Sequence, residues 1–86
     1  MRVLTLQSSM IPCVAYEFGE HTDDGGVMFV QFKNGKWGKY EDVQPRVFLD
    51  IILDPDSQGS AFDRLIKKQS LYPFSYVDAA DYDLHV

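Results

Sequence analysis

VMFVQFKNGKWGKYED, running from Val27 to Asp42, reads as two β-strands joined at Asn34-Gly35. That dipeptide tolerates the positive φ angles of a tight two-residue hairpin turn. In such a hairpin Lys33 faces Lys36, Phe32 faces Trp37, Val30 faces Lys39 and Phe29 faces Tyr40. Strand alternation then groups Met28, Val30 and Phe32 with Trp37 and Lys39, and groups Val27, Phe29 and Gln31 with Gly38 and Tyr40. Both faces are largely apolar, so each needs a cover.

Upstream, Ile11 to Phe18 reads as a strand, with Ile11, Cys13 and Ala15 alternating against Val14, Tyr16 and Phe18. Pro12 cannot donate to a ladder and points to the strand's start or to an edge. Val3, Leu4 and Thr5 are candidates for a further edge strand, and the acids and glycines from Gly19 to Gly26 read as a loop. Downstream, Pro45 suits the first turn of a helix. Val47/Ile51, Phe48/Ile52 and Leu49/Leu53 are apolar pairs four apart, and Arg46, Asp50 and Asp54 mark a narrow wet stripe on a mostly buried helix. A second helix starts near Ser57 or Ser60, with Ala61, Phe62, Leu65 and Ile66 facing in and Arg64, Lys67 and Lys68 facing water. LYPFSYV, residues 71–77, is β-prone but interrupted by Pro73, and reads as an edge strand or extended tail. The expected architecture is α+β: a three- or four-stranded antiparallel meander with two helices packed on one face. Residues 1–77 form the single domain, and 78–86 are expected to be a frayed acidic C-terminal tail.

Size and composition support one packed domain. A chain of 86 residues buries only about 60% of its unfolded surface, but 45% hydrophobic and 14% aromatic residues supply a core and argue against disorder. The single cysteine, Cys13, excludes an internal disulfide and fits a reducing, cytoplasmic setting as a small buried residue. No apolar run approaches the ~18 residues of a membrane span, and no signal-peptide core follows Arg2. A net charge of −5 disfavours generic polyanion binding. The charge is uneven, however: Glu17, Glu20, Asp23 and Asp24 precede the hairpin, Asp78, Asp81 and Asp83 load the C-terminus, and seven of the eight basic residues lie between Lys33 and Lys68.

Catalytic chemistry finds little support. His21 and His85 lack the ligand spacing of a structural zinc site. Asp54-Pro55-Asp56 echoes the opening of a calcium loop, but Leu65 stands where the bidentate glutamate belongs, so an inter-helix turn fits better. No serine has a histidine placed by a recognisable motif, and no glycine-rich loop follows a strand to hold phosphates. Catalytic, cofactor and metal residues are therefore none. The one constellation with binding chemistry is Lys33, Lys36, Trp37, Gly38, Lys39 and Tyr40, because aromatic faces beside lysines stack bases and neutralise phosphates. The plainer alternative makes Trp37 and Tyr40 core residues and the lysines the flanks of an exposed turn. On a covered face Gly38 would let a bulky neighbour approach closely; on an open one it would leave a notch.

Taken in order, these residues resemble the KTSC domain. Ser8-Ser9, Ile11, Val14 and Tyr16 match its opening; Phe32, Asn34-Gly35, Tyr40, Val43 and Pro45 its centre; Ser57, Gly59, Phe62 and Ile66 its close. The similarity runs from about Ser8 to Tyr76. It departs at the family's central Y-x-Y, where Gly38 replaces the first tyrosine, and at Glu17, where aspartate is frequent. The resemblance implies a short module found at the C-terminus of some lysyl-tRNA synthetases and alone in small bacterial and phage proteins. It brings no established reaction; an RNA-binding role has been suggested from the company the module keeps. The expectation is thus a non-enzymatic interaction module of the phage- or mobile-element-encoded kind that binds a protein partner. The alternative is an RNA-binding accessory module using the lysine–aromatic hairpin, and lysines clustered beside an exposed aromatic would favour it.

Overall fold

Five strands, Val3–Thr5 (β1), Cys13–Glu17 (β2), Gly26–Gln31 (β3), Trp37–Val43 (β4) and Phe74–Val77 (β5), form one antiparallel sheet in the order β1-β2-β3-β4-β5. The computed structural model describes residues 1–20 and 24–85. The architecture is α+β, with five strands where three or four are expected. The additional ones are the short β1 and the edge strand β5, which begins directly after Pro73. Proline fits there because only its carbonyl is used, accepting from the Glu41 N–H at 2.9 Å.

The hairpin register differs from the expected one by a single residue. Met28 pairs with Tyr40, Phe29 with Lys39, Val30 with Gly38 and Gln31 with Trp37. The Phe32 N–H donates to the Lys36 carbonyl at 2.9 Å and the Gly35 N–H to the Phe32 carbonyl at 2.9 Å, so the loop holds three residues. Within it only Gly35, at φ 86°, is left-handed. Asn34 contributes through its side chain, whose Oδ1 accepts from the Lys36 N–H at 3.0 Å. This is the type I turn with a glycine bulge that three-residue hairpins use. Because strands have a period of two, the slip exchanges faces. Tyr40 joins Met28 and Val30, whereas Trp37 joins Phe29.

Toward the far end the ladder shifts back, and Gly26 pairs with Val43. The additional residue lies at Glu41-Asp42, both exposed, with Asp42 at φ 61°. This bulge lets Tyr40 and Val43 face the same core although they are three apart.

That core lies between the sheet and two helices, Pro45–Ile52 (α1) and Gln58–Phe62 (α2); α2 runs on into a π-helical turn, Asp63–Lys67. Pro45 starts α1, and Ser57 caps α2 by accepting from the Ser60 N–H at 3.1 Å. Val14, Met28, Val30 and Val43 meet Ile51, Ala61, Phe62 and Ile66 there. α1 is less buried than its three apolar pairs suggest. Phe48 and Ile51 face in and Ile52 is half-buried, but Leu49 and Leu53 are exposed. A helix lying on one sheet has a single face to hide.

The opposite face of the sheet carries Cys13, Ala15, Phe29 and Trp37. Its cover corrects the expectation of a frayed C-terminal tail. Ala79–Tyr82 forms a 3-10 turn capped by Asp78, whose carboxylate accepts from the Ala80 N–H at 3.0 Å. Tyr82 packs on Phe29 with ring centres 4.8 Å apart, and Leu84 is buried. The acids Asp78, Asp81 and Asp83 between these apolar residues remain exposed.

Several residues behind the family resemblance sit at joints of this fold. Ser8 Oγ accepts from the N–H groups of Met10 and Ile11 at 3.3 and 3.4 Å and lies against Gly59. The Tyr16 hydroxyl donates to the Val43 carbonyl and accepts from the Gly26 N–H at 3.1 Å, tying β2 to the bulged end of the hairpin.

Candidate functional site

Pairing of β5 with β4 sets Phe74 opposite Tyr40 and Tyr76 opposite Gly38. These positions face the helix side of the sheet, yet the helices leave Phe74 40% and Tyr76 66% exposed. The missing side chain at Gly38 is what seats Phe74. A Cβ there would run into Phe74 Cε1, lie 2.7 Å from Phe74 Cζ and 3.1 Å from Phe32 Cε2. The Gly38 notch is therefore filled by the chain's own edge strand.

Around this seat the aromatic rings brace one another, with ring centres 4.7 Å apart for Tyr40 and Phe74 and 5.1 Å for Phe74 and Tyr76. Phe32 meets Phe74 and Tyr76 edge-on at 6.2 and 6.3 Å. Together they border a groove of about 450 Å³, completed by Met10, by Lys33 and Asn34 at the hairpin tip, and by Lys67 on the π-helical turn. Among the described residues no carboxylate lines it. Lys36 Nζ stands 5.8 Å from the centre of the Tyr76 ring, within cation–π reach. Arg64 and Lys68, the other cations near Lys67, are held by Asp54 at 3.7 Å and Asp63 at 3.4 Å. Among the described residues no carboxylate pairs with Lys33, Lys36 or Lys67. Burial, and secondarily the Tyr76 phenol, pushes the Tyr40 pKa above the ordinary tyrosine value, so the phenol at the groove floor is neutral.

The sequence-derived set divides between two faces. Lys33 and Tyr40 line the groove, Lys36 covers Tyr76, and Gly38 lies beneath Phe74. Trp37 and Lys39 point the other way by strand alternation, and the one-residue slip makes theirs the Phe29 face, away from the helices. Trp37 is buried with Cys13 and Phe29, and Lys39 Nζ sits 3.5 Å from Tyr82 Oη and 5.7 Å from the Tyr82 ring centre. The set omits Met10, Lys67, Phe74 and Tyr76. The spacing of Phe74 and Tyr76 was a legible sign that they share a face, but nothing local identified β4 as their partner strand.

Asp54 closes the inter-helix turn, accepting from the N–H groups of Asp56 and Ser57 at 3.0 and 2.8 Å; these bonds, with Arg64 nearby, hold its carboxyl below the usual range. His85 Nε2 lies 3.1 Å from Asp83, while His21 and Asp23 fall outside the described residues. Among the described residues no three His, Cys, Asp or Glu side chains converge as metal ligands, and no helix is long and apolar enough to cross a membrane. No protein-family model matches the chain, and a search of curated proteins finds no match.

Proposed function

We propose that this chain is a KTSC-like, non-enzymatic interaction module whose groove binds single-stranded nucleic acid, RNA first among the candidates. The observation that carries this reading is the exposed Phe74–Tyr76 shelf flanked by Lys33, Lys36 and Lys67, with no carboxylate among the described residues that line the groove. Aromatic faces stack on unpaired bases, and unpaired lysines neutralise the phosphates that follow. The chain's overall charge of −5 opposes long-range attraction, so binding is weak and depends on the local cations. Duplexes keep their base faces hidden and bind less well.

A protein partner is the second reading, favoured by the position of β5 at the edge of the sheet. A peptide strand with acidic side chains could add to that edge beneath the lysines. Fluorescence anisotropy with a short single-stranded RNA and the matching duplex separates the two. Single-strand binding should fall with salt at a log–log slope of about −2, as three phosphate contacts require, and should be lost on combining Tyr76→Ala with Lys67→Ala. No binding at low salt, or equal binding by that double variant, overturns the nucleic-acid reading.

A further inference from the structure

Tyr76 has open space on both sides. Beyond the groove already described lies a second recess of about 470 Å³, bounded by Gly35 and Lys36 at the hairpin tip, Trp37, Val77 and the Asp78-Ala79 start of the C-terminal segment. Tyr76 lines both spaces, and its ring is held edge-on by Phe74. Cations stand on each side of it, Lys33 and Lys67 in the first space and Lys36 in the second. Among the described residues Asp78 is the one carboxylate at the second recess. Its charge disfavours a phosphate beside it, but it accepts hydrogen bonds readily and suits the exocyclic amino group of a base.

We propose that Tyr76 divides a two-subsite track for single-stranded nucleic acid. One base stacks against Phe74 and Tyr76 in the groove, the next lies beyond Tyr76 toward Trp37, and Lys36 neutralises the phosphate between them. This rests on the single-strand reading above and adds a minimal ligand, the dinucleotide step. It also gives Tyr76 a role distinct from that of the less exposed Phe74 and Phe32 rings beside it.

Trp37 is the chain's single tryptophan and borders only the second of these two spaces, so its indole N–H resonance reports that subsite. The experiment titrates adenosine monophosphate and adenylates of two and four nucleotides into isotope-labelled protein, followed by NMR. The monophosphate is expected to shift the Asn34 and Lys67 amides and leave the Trp37 indole unmoved, whereas the two longer ligands move all three. Tyr76→Ala should weaken the dinucleotide by roughly five- to 150-fold, Tyr76→Phe should retain it, and Lys36→Ala should weaken the dinucleotide more than the monophosphate. A monophosphate that moves Trp37, or a tetranucleotide that binds without moving it, overturns the two-subsite track and leaves the single-strand reading intact. Absence of any shift with all three ligands overturns both.

Discussion

At Gly35 a Cβ would meet nothing, but the backbone sits at φ 86°, so Gly35→Ala should cost about 1–2 kcal/mol from conformation alone. Asn34→Ala loses one exposed hydrogen bond and should cost about 0.5–1 kcal/mol. Urea midpoints that fall equally for both would argue for the two-residue turn instead. Gly38 fails differently when replaced, because its neighbour is a ring. Gly38→Tyr should overpack against Phe74 at a cost of roughly 1–3 kcal/mol, and the added cost should vanish in a Phe74→Ala background. A penalty that persists without Phe74 would place the conflict in the backbone.

Among elements, α1 tests how burial follows from periodicity. Phe48 and Ile51 are its buried residues, and Leu53 is 72% exposed. Ile51→Ala is expected to destabilise by about 2–5 kcal/mol, and Leu53→Ser to stay within about 0.5 kcal/mol. Similar losses at both positions in urea unfolding would mean that α1 is buried all round. Three apolar i,i+4 pairs were legible in the sequence, but they cover too much of the helix to say which pair a one-sided sheet would hide.

For the whole molecule, the C-terminal segment is the cover of the second face. Leu84→Ala should lower stability by about 2 kcal/mol and speed labelling of buried Cys13 by a thiol reagent, because local opening becomes easier by the same amount. Unchanged labelling would show that this segment does not guard Cys13. Stability should also fall at both extremes of pH. Burial raises the pKa of Tyr16 and Tyr40, so their contribution is complete below the ordinary tyrosine value of about 10 and is lost as pH rises past it toward the folded-state values. Asp54 is lowered, so its contribution is present above the ordinary carboxyl range and is lost as pH falls through its folded value. Urea midpoints across pH should show both declines, and Tyr40→Phe should lessen the alkaline one.

The strands flanking Asn34-Gly35, the helix opened by Pro45, a second helix starting near Ser57 or Ser60 and the β-prone LYPFSYV stretch are all decided locally, by dihedral preference, capping chemistry and apolar periodicity; the structure chooses Ser57 as the cap. The sequence also held the chemistry of the candidate site, lysines beside aromatics, in Lys33, Lys36 and Tyr40. Which face each residue occupies was a tertiary decision. Asn-Gly supports two hairpin loops that differ by one residue, and only the packing of Tyr40 on Phe62 and of Trp37 with Phe29 distinguishes them. The groove depends on residues brought together across long separations, Lys67 and Phe74 lining it with Phe32, and on Gly38 leaving room for a ring from a strand formed 36 residues later. The acidic C-terminal segment follows the same logic: its charge is local, whereas the apolar face that holds Tyr82 and Leu84 exists only after the sheet has formed.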